Sequence, residues 1–184
     1  MTCGIHAASL PAAALLLRYC APGNYTDCLC VEVDGEVDIV RFTEAFLTSH
    51  AFRLERFALD KLLGKRSSDD QAVALAKGAA DRFAAWTVEA RAENQLLLRD
   101  FLGHTRSWFM VESMKLGGAA PATRLLFGTA VVHSGLSGFP RTRAVAIFWL
   151  FLPFHKAYAR VLLRSAVKRL NQTGLKPNSH QQSA

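Results

Sequence analysis

The amino-acid sequence predicts an α+β domain in which an antiparallel sheet wraps around one long C-terminal helix. Three observations favour this fold class. Strand-like runs between residues 81 and 133 are joined by connections of a few residues, which pair strands antiparallel. Two or three helical segments separate these runs from a first strand, and a helical pattern from Pro140 to Leu170 follows them. A long amphipathic helix needs an apolar surface to bury, and the sheet offers one.

The first part of the chain supplies an arm, one strand and the intervening helices. Proline and glycine mark the turns, and apolar residues recur at strand or helix spacing between them. The predicted elements are, in chain order, an N-terminal arm over 1–24, a strand over Tyr25–Val33, a helix capped by Asp38, a helix over Phe52–Leu63 and a short helix capped within Ser67–Asp70.

The second part of the chain supplies the rest of the sheet. The predicted strands cover Phe83–Arg91, Gln95–Phe101, Thr105–Met114 and Thr123–His133. Gly128 interrupts the last of them and is expected to mark a bulge. Alternation puts Glu89 and Arg91 together on one face of the first of these strands. Trp86 and Val88 lie on the other face, and the pattern alone leaves open which face meets the terminal helix.

Length and composition indicate a single globular domain over residues 25–170, followed by a disordered tail over 171–184. A chain of 184 residues with 51% hydrophobic and 20% charged residues can bury a core without disulfides or metal. Residues 1–112 carry a net charge of −3, whereas residues 113–184 carry 10 basic side chains and no acidic one. This asymmetry predicts either an anionic partner, such as a membrane surface, or a helix whose solvent face is basic.

Cysteine usage and missing motifs narrow the function classes. Cys28 and Cys30 lie two apart in the first strand and face the same side, as half-buried reduced thiols would. Because the sequence has no CxxC pair and no Gly-rich phosphate loop, we expect neither a metal site nor a cofactor. No specific nucleic-acid motif is present. A cytoplasmic location is expected, because no signal peptide is recognised and the apolar run Ala144–Phe154 is too short to span a bilayer.

Four short motifs give the chain a resemblance to a known superfamily. They are Trp86–Arg91 (WTVEAR), Leu96–Asp100 (LLLRD), Thr105–Trp108 (TRSW) and Pro153–His155 (PFH). Together they resemble a group of uncharacterised bacterial proteins associated with the START/SRPBCC-type helix-grip superfamily. The resemblance covers about Tyr25 to Leu170. It implies a hydrophobic or amphipathic ligand cavity between sheet and terminal helix, and it leaves open whether the protein is an enzyme.

Charged and aromatic residues on the predicted strands are candidate ligand contacts. Glu89 and Arg91 share a strand face in the alternation pattern, and Asp100 and Arg106 lie across turns from them. If this face lines a cavity, the charges could orient the polar end of a ligand. The alternative is a solvated face with weak cross-strand ion pairs. Trp108 shares its face with Arg106, and it could contact a ligand or pack in the core.

His155 is the histidine whose position carries an argument. It belongs to a mostly apolar row at helical spacing, made of Phe148, Leu152, His155, Ala159, Leu162, Ala166 and Leu170. An imidazole in this row should face the sheet, where it could act as a base or bind a ligand. The alternative is a core histidine bonded to a backbone carbonyl.

A row of basic residues follows another face of the same helix. Lys156, Arg160, Arg164 and Lys168 are spaced by four. The row could contact an anionic membrane surface, or it could be the solvent face of a packed helix. We therefore expect a protein that binds a hydrophobic or amphipathic small molecule. The alternatives are a hydrolase or cyclase with His155 as base, and a peripheral membrane or scaffold protein. The oligomeric state stays open.

Overall fold

The structure, a computed structural model, has an α+β fold, which confirms the predicted class. It describes residues 4–64, 67–114, 121–132 and 141–174, and of residues 58, 59, 62, 63 and 141–154 it describes the backbone only. Over these residues one seven-stranded antiparallel sheet is combined with four α-helices and a short 3-10 helix. The elements are β1 (His6–Ala7), the 3-10 helix (Leu15–Tyr19), β2 (Tyr25–Asp34), α1 (Ile39–Leu47), α2 (His50–Leu63), α3 (Asp69–Ala76), β3 (Arg82–Phe83), β4 (Trp86–Ala92), β5 (Gln95–Asp100), β6 (Thr105–Met114), β7 (Ala122–Val131) and α4 (Arg141–Gly174).

The sheet places the first long strand beside the last one. Its order is β1-β2-β7-β6-β5-β4-β3, so the strands from β3 to β7 form a meander in chain order. β2 and β7 pair along their whole length, from Tyr25 opposite Val131 to Asp34 opposite Ala122. The three helices between β2 and β3 therefore cross one face of the sheet before the meander begins.

All four helices cover the same face of the sheet, which we call the helix face. Its core is aromatic at the centre, where the Phe46 ring of α1 lies 4.8 Å from Phe109 and 4.7 Å from Phe127, measured between ring centroids. The buried α4 residues of this core are Ala159, Leu162, Leu163, Ala166, Val167 and Leu170. The apolar row predicted for the last helix is thus confirmed from residue 155 onward, and the side chains of Phe148 and Leu152 lie outside the description.

Local capping fixes where two of the helices begin. The Asp38 side chain accepts a hydrogen bond from the backbone N–H of Arg41 at 2.7 Å, as predicted for a helix start. α3 begins with a capping box, in which Ser68 and Gln71 each bond the other's backbone N–H. These caps satisfy donors that would otherwise lack partners at a helix N-terminus.

The opposite face of the sheet, the outer face, is covered by the N-terminal segment. Leu16 of the 3-10 helix is fully buried in a second apolar cluster that also contains Trp108. Gln95 joins the two, because its Oε1 accepts hydrogen bonds from the Leu15 backbone N–H and from Trp108 Nε1, each at 2.9 Å. β1 also pairs with β2. Residues 4–24 of the predicted N-terminal arm therefore form a layer packed on the outer face of the sheet.

The strand predicted over Phe83–Arg91 is two strands. β3 and β4 pair as a hairpin with Phe83 opposite Trp86, and Ala84 between them adopts a positive φ of 52°. A register shift between Val88 and Ala90 then leaves one extra residue in β4. Simple alternation fails at both places, and for that reason the expectation that Glu89 and Arg91 share a face is wrong. Trp86 and Val88 pack on the helix-face core.

Gly128 does not mark a bulge, which corrects the prediction. The pairing of β7 with β2 and with β6 runs through it without a shift. Its role is close packing: a Cβ placed there would lie 2.8 Å from the Leu16 side chain and 2.9 Å from both the Asp27 carbonyl and the Trp108 ring. The glycine lets the N-terminal segment and Trp108 reach the sheet backbone.

Three further observations bear on the predicted boundaries and environment. α4 continues past Leu170 to Gly174, so residues 171–174 of the tail predicted over 171–184 are helical, and residues 175–184 lie outside the description. Cys28 and Cys30 are buried free thiols, and burial raises the pKa of the Cys28 thiol to about 12. Within the described ranges, the structure contains no helix long and apolar enough to cross a membrane.

We expect Gly128→Ala to lower the free energy of unfolding by about 1–3 kcal/mol, because the added methyl group overpacks a filled site. Urea unfolding of the purified protein measures the loss. Gly4→Ala is the matched control, since a Cβ at Gly4 meets nothing within 4 Å. Equal unfolding midpoints for the two variants would show that the close packing at Gly128 contributes nothing.

Candidate functional site

A cavity of about 250 Å³ lies between the helix face of the sheet and helices α2 and α4. Its walls are mostly apolar and aromatic, and polar side chains from β6, β7, α2 and α4 are grouped among them. The lining residues are Phe46, Phe52, Glu55, Trp86, Thr105, Arg106, Ser107, Phe127, Thr129, Ala130, Val131, His155, Tyr158, Ala159 and Leu162. Such a mixture is typical of sites for small molecules with an apolar body and a polar end.

A chain of three polar side chains runs from β2 to α4 at this cavity. Thr129 donates its hydroxyl to Oδ1 of Asp27, and its backbone N–H bonds the same oxygen at 3.2 Å. The Thr129 oxygen lies 2.9 Å from Nε2 of His155. The second Asp27 oxygen is 4.0 Å from the same nitrogen. His155 therefore faces the sheet, as its position in the apolar row predicts.

Tyr25 completes the surroundings of Asp27. Its hydroxyl donates to Oδ2 of Asp27 at 2.9 Å, and its ring meets His155 edge-on with centroids 6.3 Å apart. Burial, followed by the neighbouring Asp27 carboxylate, raises the pKa of Tyr25 above its ordinary value. The phenol is thus a hydrogen-bond donor at neutral pH, and Asp27 receives three donated hydrogen bonds on its two oxygens.

A second carboxylate stands at the opposite wall, between the two helices. The Tyr158 hydroxyl of α4 donates to Oε2 of Glu55 on α2. Burial raises the pKa of Glu55, and the Tyr158 hydrogen bond opposes that effect. Burial also raises the pKa of Tyr158, as does the neighbouring Glu55 charge. This pair joins α2 to α4 where both helices line the cavity.

Two kinds of polar group in the lining are less engaged. Trp86 Nε1 is buried and has no hydrogen-bond partner among the described residues. Ser107 lies directly opposite Thr129 in the pairing of β6 with β7, so their hydroxyls share the helix face with Thr105, two residues earlier. A buried indole N–H without a hydrogen-bond partner is destabilising.

Two of the residues predicted as ligand contacts form a cluster away from the cavity interior. Glu89 lies at the bulge of β4, and its Oε2 is 2.7 Å from Nε of Arg106. Tyr19 of the 3-10 helix donates a hydrogen bond to Glu89, and its ring centroid lies 4.7 Å from the Arg106 guanidinium carbon. Arg106 borders the cavity, but its charged group is engaged with this cluster beneath the N-terminal segment.

The other predicted contacts have structural partners. Arg91 donates to the Leu75 carbonyl at 2.6 Å, close to the C-terminal end of α3. Asp100 accepts the Thr105 backbone N–H at 2.9 Å across the turn between β5 and β6. Trp108 is fully buried on the outer face. Of the predicted ligand contacts, only His155 and the edge of Arg106 line the cavity.

The basic row keeps the solvent side of α4. Lys156, Arg164 and Lys168 are exposed, and Arg160 is half-buried. Among the described residues, no group of three His, Cys, Asp or Glu side chains is placed to hold a metal ion.

Sequence reasoning missed the partners of His155. Alternation assigns Asp27 to the same face as Leu29, Val31 and Val33, so an acid on an apolar strand face was visible in the sequence. Such an acid is expensive to bury without donors, and that cost is the signal that could have identified it. Thr129 and Tyr158 gave no comparable signal, because isolated hydroxyls on strands and helices are common.

Comparison with known proteins adds no family. No family model matches the chain, and the curated proteins contain no match.

We expect Glu89→Ala to lower the free energy of unfolding by about 3–5 kcal/mol, because it leaves the nearly buried Arg106 without its carboxylate. Thermal or urea unfolding measures the change. Glu112→Ala is the matched control: Glu112 pairs with the more exposed Arg124 at 3.3 Å, and its loss should cost about 0–1 kcal/mol. Similar losses for both variants would contradict a structural role specific to the Glu89–Arg106 pair.

Proposed function

We propose that this protein binds a small molecule with an apolar body and a polar end in the cavity between its sheet and α4. The observation that carries the proposal is the cavity itself, about 250 Å³ in volume, with aromatic walls and a hydrogen-bonded polar patch around His155. Because the cavity opens to solvent, its apolar walls stay in contact with water until an apolar group covers them, and that burial would favour binding.

The arrangement of the sheet supports a helix-grip-like description of the fold. Both the long terminal helix and the helices after the first long strand lie on one face of the antiparallel sheet. The cavity lies between that face and the terminal helix, where the resemblance to the START/SRPBCC-type superfamily places a ligand. A hydrolase or cyclase on the same scaffold, with His155 as base, stays a prediction.

Filling the cavity should abolish binding without unfolding the protein. Ala159 lines the cavity on α4, and we expect Ala159→Met to remove any co-purified small molecule seen by native mass spectrometry. Ala157→Met makes the same change on the exposed side of the same helix, two residues earlier, and should leave the bound mass in place. Circular dichroism confirms that both variants fold.

Retention of the same molecule by Ala159→Met would place it elsewhere on the protein. Two negative results together would contradict the proposed function itself. The wild-type protein would carry no co-purified small molecule, and it would bind no hydrophobic dye that naphthalene compounds displace.

A second candidate function, attachment to an anionic membrane surface, is favoured by one observation. Leu54 and Phe57 of α2 are 72% and 62% exposed, and Val161 of α4 is 51% exposed. α2 and α4 pack together through Glu55–Tyr158 and through the Ala51 N–H, which lies 3.2 Å from the Ser165 hydroxyl. These apolar side chains thus occur on the two helices beside the basic row, the combination that interfacial helices use.

Charge reversal in the basic row tests this candidate. We expect the double variant Arg164→Glu, Lys168→Glu to bind phosphatidylserine-containing vesicles about tenfold or more weakly in a sedimentation assay, because each basic residue near the surface contributes about 1 kcal/mol. The control is Lys77→Glu, Arg82→Glu, which reverses two exposed charges on other elements. Wild-type protein that stays in solution at low salt would remove the membrane candidate.

A further inference from the structure

The hydrogen-bond chain at the cavity fixes where His155 carries its proton. Asp27 can only accept when it is ionised, and its oxygens receive the Thr129 backbone N–H, the Thr129 hydroxyl and the Tyr25 hydroxyl. A threonine hydroxyl has one proton. Because Thr129 gives it to Asp27, the Thr129 oxygen has only lone pairs to offer His155.

The contact between Thr129 and His155 must then be donated by the imidazole. Their atoms are 2.9 Å apart, which is a hydrogen-bond distance, so Nε2 carries a hydrogen that points at the Thr129 oxygen. The Asp27 carboxylate, 4.0 Å from the same nitrogen, favours a proton there as well. In a neutral imidazole only one nitrogen is protonated, so Nδ1 is left with a lone pair.

Nδ1 is also the ring nitrogen that has no partner in the part of the chain that the structure describes. The described residues give it no hydrogen bond, and His155 lines the cavity with about a third of its side chain exposed. Thr129 and Asp27 therefore fix the orientation of the imidazole ring and leave Nδ1 as an acceptor. In functional histidines, the hydrogen bond at one ring nitrogen sets the protonation of the other in the same way.

We propose that His155, held as its Nε2–H tautomer by Thr129 and Asp27, receives a hydrogen bond at Nδ1 from a hydroxyl or amine group on the cavity's ligand. The ligand is thus an apolar alcohol, phenol or amine rather than a carboxylate. Thr129 and Asp27 are positioning residues in this arrangement. The identity of the ligand class rests on the proposed function, whereas the tautomer does not.

The charges around the cavity favour the same class of ligand. Glu55 lines the cavity, and Asp27 lies directly behind Thr129, to which it is hydrogen-bonded, so the polar groups near a carboxylate ligand would be acidic ones. The guanidinium of Arg106 does not compensate, because it is paired with Glu89.

Nitrogen-15 NMR of the histidine ring tests the tautomer directly. At about pH 8.5, where an ordinary imidazole is neutral, we expect the His155 signals of the ligand-free protein to be those of a protonated Nε2 and an unprotonated Nδ1. Thr129→Val removes the acceptor and should return His155 to a mixed population, and Thr129→Ser should restore the wild-type signals. Exposed His50 is the internal control and should not change. A protonated Nδ1 in the wild-type protein overturns the proposal.

Binding of matched probes tests the ligand class. 2-Naphthol and 2-methoxynaphthalene share the ring and the oxygen, but only the first donates a hydrogen bond. We expect 2-naphthol to bind about tenfold more tightly by calorimetry, which corresponds to one additional hydrogen bond. His155→Phe, which keeps a ring at the site and removes the acceptor, should abolish the difference. 2-Naphthoate should bind more weakly than 2-naphthol.

The outcomes separate this inference from the proposed function. Equal binding of 2-naphthol and 2-methoxynaphthalene, or tighter binding of 2-naphthoate, overturns the ligand class while leaving a binding cavity. If none of the three compounds binds, both the ligand class and the small-molecule function are contradicted. The NMR measurement of the His155 tautomer does not depend on that outcome.

Discussion

The pairing of β2 with β7 is the interaction on which the rest of the molecule depends. It joins the beginning of the domain to the end of the meander along ten residues of each strand. Helices α1 to α3 lie between β2 and β3 in the chain, and α4 packs on the same face of the sheet as these helices. The same pairing brings Asp27 against Thr129, so the polar patch of the cavity follows from the closure of the sheet.

Much of this architecture is encoded locally, and for that reason the sequence predicts it. Helix caps such as Asp38 and Ser68 are set by residues three positions away, and the strand Thr105–Met114 pairs with β7 over its whole length without a register shift. The extra residue at the Val88–Ala90 shift is different, because a bulge depends on what the partner strand presents. Gly128 is different for the same reason: its bulky neighbours come from distant parts of the chain.

In the candidate site, too, features set by nearby residues could be predicted, and features set by distant residues could not. His155 could be predicted, since its neighbours at helical spacing show which side of α4 is buried. Its partners could not, because Thr129 bonds Asp27 across 102 positions of sequence and only the register of β2 on β7 aligns them. Charged residues such as Glu89 and Arg106 were predicted to contact a ligand, but they form an ion pair with one another across β5. This ion pair stabilises the sheet, whereas the polar groups that line the cavity include the hydroxyls of Thr105, Ser107 and Thr129.

The Glu89–Arg106 pair has a consequence for how the cavity is kept in shape. Arg106 alternates with Thr105 and Ser107 along β6, so a slip of one residue would exchange the hydroxyls that line the cavity for a guanidinium. Because its carboxylate partner belongs to β4, two strands away, the pair holds three neighbouring strands against sliding along their length. The ion pair on the outer face of the sheet thus keeps the strand register that places the cavity's hydroxyl groups on the helix face.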